Sequence, residues 1–284
     1  MQWKLLDLRT NINININTLR TVVIEQVIEE TPTVKTFIFK DKISSNAKPG
    51  QFLMVWIPRI EELPMSVMVC DREEYAAITI RKLGFGSTAL FDKSVGEVLG
   101  IRGPYGNQFK IRKKIKKVLL IGGGTGLVPL LRLSTILNKE RVDTTVIIGA
   151  RTKQEVFFEK NANDLLDKTK HKVIISTEDG SYGIKGNAID AMSLIIRRER
   201  FDTVYTCGPE LMMRKVFDIG SANALPVQAS LERYMKCGIG ICASCCIGDR
   251  LVCKDGTVFN EKELSLLTEF GKTYRDKSGR KCEY

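Results

Sequence analysis

Histidine is almost missing from this chain. Its one copy, His171, stands in a polar stretch ahead of the strand-like run KVIIST. That scarcity removes the raw material for histidine-dependent triads and for histidine-ligated metals, and His171 reads as a surface residue. Long apolar runs are missing too. No stretch approaches the roughly 20 residues that span a bilayer, and the opening MQWKLLDLRTN has no apolar core of the kind that directs secretion. A soluble cytoplasmic protein that does not enter a membrane is therefore expected. A second C-x2-C knuckle is also lacking, which counts against a paired-knuckle zinc site. Without a secretory signal, a disulfide framework is disfavoured as well.

Positive charge is plentiful, at a net +11 over 284 residues. A basic stripe would point to nucleic acid, yet Arg112, Lys113, Lys114, Lys116 and Lys117 form one linker-like run and the other basic residues are dispersed. A solvated surface with no nucleic-acid partner follows. The length and 43% hydrophobic content support two larger domains plus a small module.

The most telling segment is CGIGICASCCIGDRLVC. Cys237, Cys242, Cys245 and Cys253 follow a C-x4-C-x2-C start with a fourth cysteine behind it, the spacing that wraps a [2Fe-2S] centre in four thiolates. The small residues between them bring backbone amides close to sulfur. Cys246 adjoins Cys245, but neighbouring side chains diverge, so it reads as a spare thiol. Cys70 and Cys282 read as structural or incidental.

Along the chain, Asn11–Asn17 alternates as an edge strand or a disordered extension would. From Thr21 five short runs, TVVIEQVIEE to YAAITIRKL, suggest a small antiparallel barrel of about six strands. After the basic run, KVLLIGGG, LVPLLRLSTILNKE, TTVIIGAR, a helix around 156–166 and KVIIST alternate strand with helix, the grammar of a doubly wound parallel sheet. The expected units are an extension (1–19), an antiparallel barrel (20–112), a doubly wound α/β domain (113–225), a cluster module (226–260) and a tail (261–284).

Gly122, Gly123, Gly124 and Gly126 follow the strand VLLI and open a helix, where a pyrophosphate would meet backbone amides. A tight corner would explain them equally. Cys207, Gly208 and Pro209, and the turn at 178–183, end strands on the same carboxyl edge, and three converging loops favour a nucleotide. In the barrel, Pro64, Met65, Ser66 and Val67, Gly86, Ser87 and Thr88, and Arg81 suit a flavin phosphate or are simple hairpin turns.

Taken together these motifs, PMSV, GFGST, GPYGNQF, GGGTGLVPLL, TEDGSYGIKG, TCGPELMM and ERYMKCGIGICASCCIG with VCKDGTVF, resemble the ferredoxin reductase-like proteins, and among them the electron-transfer subunits of dihydroorotate dehydrogenase B. The resemblance covers residues 20–260. It implies FAD in the barrel, NAD in the second domain, a [2Fe-2S] cluster on the four cysteines, and an FMN-containing catalytic subunit as partner in a heterotetramer of two of each. By position, Pro64, Ser66 and Val67 would lie along the isoalloxazine, Gly86, Ser87 and Thr88 by the flavin phosphates, and Cys207, Gly208 and Pro209 by the nicotinamide. The implied function is to carry electrons from dihydroorotate, through cluster and FAD, to NAD+ in pyrimidine (UMP) biosynthesis. No general base is needed for that. The same modules also serve NAD(P)H reductase subunits of other complexes, and a nonenzymatic module with structural zinc is a third reading. Two departures stand out: Leu63 occupies the family's usual arginine position, for which Arg81 is the expected substitute, and the gap from Cys245 to Cys253 is short. Arg151, directly after the strand VIIGA, leaves NADP open beside NAD.

Overall fold

The computed structural model describes residues 16–165 and 171–284. Most of the alternating Asn11–Asn17 segment lies outside them. Six strands, β1 (Arg20–Thr31), β2 (Val34–Lys40), β3 (Phe52–Ile57), β4 (Glu61–Met68), β5 (Tyr75–Arg81) and β6 (Val98–Tyr105), close an antiparallel barrel in the order β1-β2-β5-β4-β3-β6. Alternate residues point inward, so Ile24, Phe37, Phe39, Leu53, Val55, Ile78 and Leu99 form a sealed core. Two short helices, α1 (Lys42–Ser45) and α2 (Phe85–Phe91), fill the connections.

The second unit is a seven-stranded sheet. Its strands are β7 (Lys117–Gly123), β8 (Asp143–Ala150), β9 (His171–Thr177), β10 (Ile184–Lys185), β11 (Thr203–Cys207), β12 (Val227–Ser230) and β15 (Val258–Asn260), in the order β10-β9-β8-β7-β11-β12-β15. All pairs are parallel except β12 with β15. Helices α3 (Leu127–Lys139), α4 (Glu159–Leu165), α5 (Ala188–Ile196) and α6 (Glu210–Ala222) cover it. The apolar run of β7 is unbroken because both faces are covered: Val118 and Leu120 join one core with α3, while Leu119 and Ile121 join another with α5 and α6. His171 is half-buried rather than on the surface, its Nδ1 accepting from the Thr144 amide at 3.0 Å.

The expected cluster module begins and ends inside this sheet. Residues 231–257, with the small hairpin β13 (Cys246–Ile247) and β14 (Arg250–Leu251) and the turn α7 (Val252–Asp255), form a loop between β12 and β15. Helix α8 (Glu261–Leu266) and a hairpin of β16 (Thr273–Arg275) and β17 (Lys281–Glu283) follow. Among the described residues, no helix is long and apolar enough to cross a membrane.

Candidate functional site

A cavity of about 1110 Å³ runs along the seam between barrel and sheet. Pro64, Met65, Ser66 and Arg81 line it from the barrel, with Ser87 at the start of α2. Gly123, Gly124 and Gly126 line it from the 3-10 turn Gly124–Gly126 that opens α3, and Gly208 and Pro209 from the end of β11. Ten of the fifteen residues singled out for cofactors thus share one cavity.

The other five stand behind its wall. Val67 is buried in the barrel core, and Gly86 and Thr88 lie within α2, away from the lining. Gly122 packs behind Leu127, and Cys207 is 1% exposed, with burial pushing its thiol well up. Ser87 faces the cavity, but its hydroxyl accepts from the amides of Leu83 at 3.0 Å and Gly84 at 2.8 Å, so it closes its own turn.

The glycine turn has the shape a phosphate group needs. A Cβ on Gly124 would meet only the Arg81 guanidinium, at 3.8 Å, which leaves open room above the turn. Behind it sits the amino end of the 13-residue α3, where backbone amides favour an anion. Gly126 is fixed for another reason: a Cβ there would lie 2.4 Å from the Cys207 carbonyl oxygen and 2.6 Å from the Gly208 Cα. Backbone cannot yield as a side chain does. Gly126→Ala is expected to push the Cys207–Gly208 loop off the turn, lower stability by about 1–3 kcal/mol and weaken NADH binding about tenfold or more. Thermal unfolding and the KM for NADH check this; an unchanged KM would refute it.

The four cysteines lie together beyond the cavity. Cys242 shares a hydrogen bond with Cys237, and Cys245 one with Cys253. The amides of Ile239, Ile241 and Cys242 point at the Cys237 sulfur at 3.4–3.5 Å, and that of Cys253 at the Cys245 sulfur at 3.4 Å. Burial opposes ionisation of Cys242, but hydrogen bonds from Ser244 and Cys237 outweigh it and bring the thiol to about 6. The hydrogen bond between Cys245 and Cys253 lowers the Cys245 thiol and raises that of Cys253, so the charge within this pair belongs to Cys245. Among the described residues no three donors converge on one point. Two thiol pairs with amides aimed at sulfur fit a binuclear centre, each iron taking one pair, better than a single zinc ion. Cys246 turns away, its sulfur receiving the Arg275 Nε–H at 2.9 Å.

The cysteine loop is fastened to the barrel. Arg102 on β6 grips Glu62 through two bonds of 2.8 and 2.6 Å and donates to the Cys237 carbonyl at 3.2 Å. Gly238, in the left-handed region at φ 73°, sits so close to Met54 that a Cβ would come within 2.6 Å of it. Met54 is the cross-strand partner of Pro64 on the cavity wall. Ile239 and Ile241 remain on the outside, 37% and 76% exposed.

Sequence reasoning missed several cavity residues. Glu155 and Glu232 line it, and the C-terminal hairpin contributes Tyr274, Arg275 and Lys277. Glu232 is exposed where it lines the cavity. Arg81 turns toward the nucleotide side, its Nη2 lying 3.6 Å from Glu155.

Known proteins match this arrangement. Residues 232–265 match the iron-sulfur cluster binding domain of dihydroorotate dehydrogenase B, and residues 120–218 match the oxidoreductase NAD-binding domain. A protein of Methanocaldococcus jannaschii named as the probable electron transfer subunit of dihydroorotate dehydrogenase B (NAD(+)) is 41% identical over 92% of this chain and 97% of its own length. One of the same name from Pyrococcus furiosus is 44% identical over 92% and 98%. Among solved structures, the NADH-dependent reduced ferredoxin-NADP oxidoreductase, studied for flavin-based electron bifurcation, superposes with a TM-score of 0.77 at 26% identity, covering 88% of this chain and 92% of that one. The ferredoxin reductase of carbazole 1,9a-dioxygenase, at 19% identity and a TM-score of 0.66 over 75% of this chain and 68% of that one, shares the fold.

Proposed function

The chain belongs to the family of dihydroorotate dehydrogenase B electron transfer subunits, and from that membership we propose that it links dihydroorotate oxidation on an FMN-containing catalytic subunit to NAD+ in pyrimidine biosynthesis. Its groups would be FAD, a [2Fe-2S] cluster and NAD. When bound, the flavin connects the two-electron hydride chemistry of nicotinamide with the one-electron chemistry of an iron-sulfur centre. The protein's own residues supply placement, potential and exclusion of water.

In this reading the barrel, residues 20–112, holds FAD, with Pro64, Met65 and Ser66 along the ring and Val67 supporting them from the core. The start of α2 at Gly86 and Ser87 would serve the flavin phosphates, with Thr88, whose amide donates to the Gly84 carbonyl at 2.8 Å, behind them, and Arg81 the charge between flavin and nucleotide. Residues 113–230 together with β15 hold NAD, Gly122–Gly126 at its pyrophosphate and Cys207–Pro209 at its nicotinamide. The loop 231–257 holds the cluster through Cys237, Cys242, Cys245 and Cys253. Exposed Ile239 and Ile241 would face the catalytic subunit, in a complex of two copies of each chain.

One observation carries this reading: the cysteine loop rests on Met54, which pairs with Pro64 on the wall of the cavity that the glycine turn closes from the other side. In this reading the three cofactor sites are contiguous. Purified without oxygen, the chain is expected to release its flavin as FAD and to oxidise NADH with an artificial acceptor while leaving dihydroorotate untouched. Mixed with its cognate FMN subunit, it should gain dihydroorotate-dependent NAD+ reduction and sediment as the 2:2 complex. If mixing with that subunit produces no such activity, a reductase subunit for another enzyme becomes the better reading.

A further inference from the structure

The carboxyl end of β8 is where a sheet of this type meets the adenosine ribose of a dinucleotide; an acidic residue there binds the 2′-hydroxyl of NAD, and an arginine accommodates the 2′-phosphate of NADP. This chain carries both. Arg151 is the first residue after the strand, but it is not free. Its Nε–H and Nη2–H donate to the two carboxylate oxygens of Glu155 at 3.1 and 2.5 Å, a forked pair.

Glu155 is itself held in place. It ends the 3-10 turn Lys153–Glu155, which is fastened by the Lys153 amide donating to Ser181 Oγ at 2.8 Å. Arg81 approaches from the barrel at 3.6 Å. The hydrogen bond from Arg151 holds the Glu155 carboxyl below its usual range against partial burial, so it is charged at neutral pH. Glu178, just past β9, adds a negative charge that Arg151 also feels. The Lys153 ammonium lies over the Tyr182 ring at 5.3 Å, and Lys153 does not line the cavity. Arg81, Arg151, Glu155 and Glu178 all line the cavity.

We propose that Glu155 sets nucleotide selectivity: by occupying the Arg151 guanidinium and presenting its own carboxylate at the end of β8, it admits a 2′-hydroxyl and turns away a 2′-phosphate. The arginine that suggests NADP in the sequence is thus engaged before any nucleotide arrives. This inference rests on the nucleotide reading of the cavity given above. A pair as exposed as this, with Arg151 at 65% and Glu155 at 30%, adds little to stability, so the protein should fold without it.

The test uses the full chain with its flavin. In Glu155→Gln the kcat/KM ratio of NADPH to NADH, read with an artificial acceptor, should rise roughly 10- to 100-fold. Calorimetry with 2′,5′-ADP and 5′-AMP, which needs no electron transfer, should show the wild type preferring 5′-AMP and the variant gaining 2′,5′-ADP. Adding Arg151→Ala to the variant should abolish the gain. An unchanged ratio in Glu155→Gln, or a gain that survives the second substitution, overturns the inference. A wild type that binds neither 5′-AMP nor NADH overturns the nucleotide reading and this inference together.

Discussion

A Cys253→Ser protein is expected to lose the iron that the wild type should carry, about two irons and two sulfides per chain. Cys253 is 3% exposed and hydrogen-bonded to Cys245, so it completes one of the two thiol pairs. A thiol gives up its proton to a metal far more readily than a serine hydroxyl does, so with serine that pair is left with one thiolate ligand. The loss should exceed the roughly 10- to 100-fold that removal of a metal's outer-shell partner typically costs. Visible absorbance and iron analysis give the direct readings. With the catalytic subunit present, dihydroorotate-driven NAD+ reduction should collapse, while NADH oxidation by a small acceptor survives. Cys246→Ser is the control: its sulfur faces Arg275, so iron should stay. Loss of iron from Cys246→Ser alone would show that the ligand set is wrong.

Arg233→Met should be the most destabilising single change outside the four cysteines. The Arg233 guanidinium grips the Glu210 carboxylate with both side chains almost wholly buried, at 2% and 4% exposure. Glu210 also accepts from the Gly271 amide at 2.8 Å, and Arg233 donates to the Thr273 carbonyl at 3.2 Å, so the pair ties α6, the start of the cysteine loop and the C-terminal hairpin together. Removing one partner strands a buried charge, at a cost of about 3–5 kcal/mol. In a chain of this size that lowers the melting temperature by roughly 6–20 °C. Replacing Glu210 with Met as well should recover much of the loss, because the stranded charge is gone. A single variant that melts within a degree or two of the wild type would contradict this account.

The parallel sheet was legible because burial on both faces leaves unbroken apolar runs such as VLLI, and the cysteine pairs because a cluster demands its spacing. The sheet's far edge was less so. Leu225–Glu232 reads as extended and contains β12, but β15 has only three residues, and what makes it part of the large sheet is a ladder between Ser230 and Val258 that no local pattern signals. For the same reason the expected boundary at 225/226 falls just before a sheet strand instead of at a seam. Arg233 and Glu210 are ordinary surface types in sequence, and only the fold encloses them. Ser87 shows a different limit: a hydroxyl beside glycines reads the same whether it serves a phosphate or its own turn. The polar tail gave no periodicity, yet its hairpin lines the cavity through Tyr274, Arg275 and Lys277.

The loop between β12 and β15 bears on how the protein matures. Its two ends are adjacent ladder partners, and its return is clamped by Asn107, whose side chain donates to the Val258 carbonyl and accepts from the Val258 amide, both at 2.8 Å. Thr257 is tied to the Gly50 carbonyl as well. In small metal-dependent domains the ion must itself draw distant chain segments together, so without it they remain unfolded. Here the entropy of closing the loop is already lost to sheet and barrel. The two ends of the loop can therefore be brought together before iron and sulfide arrive, so the metal need not draw distant chain segments together.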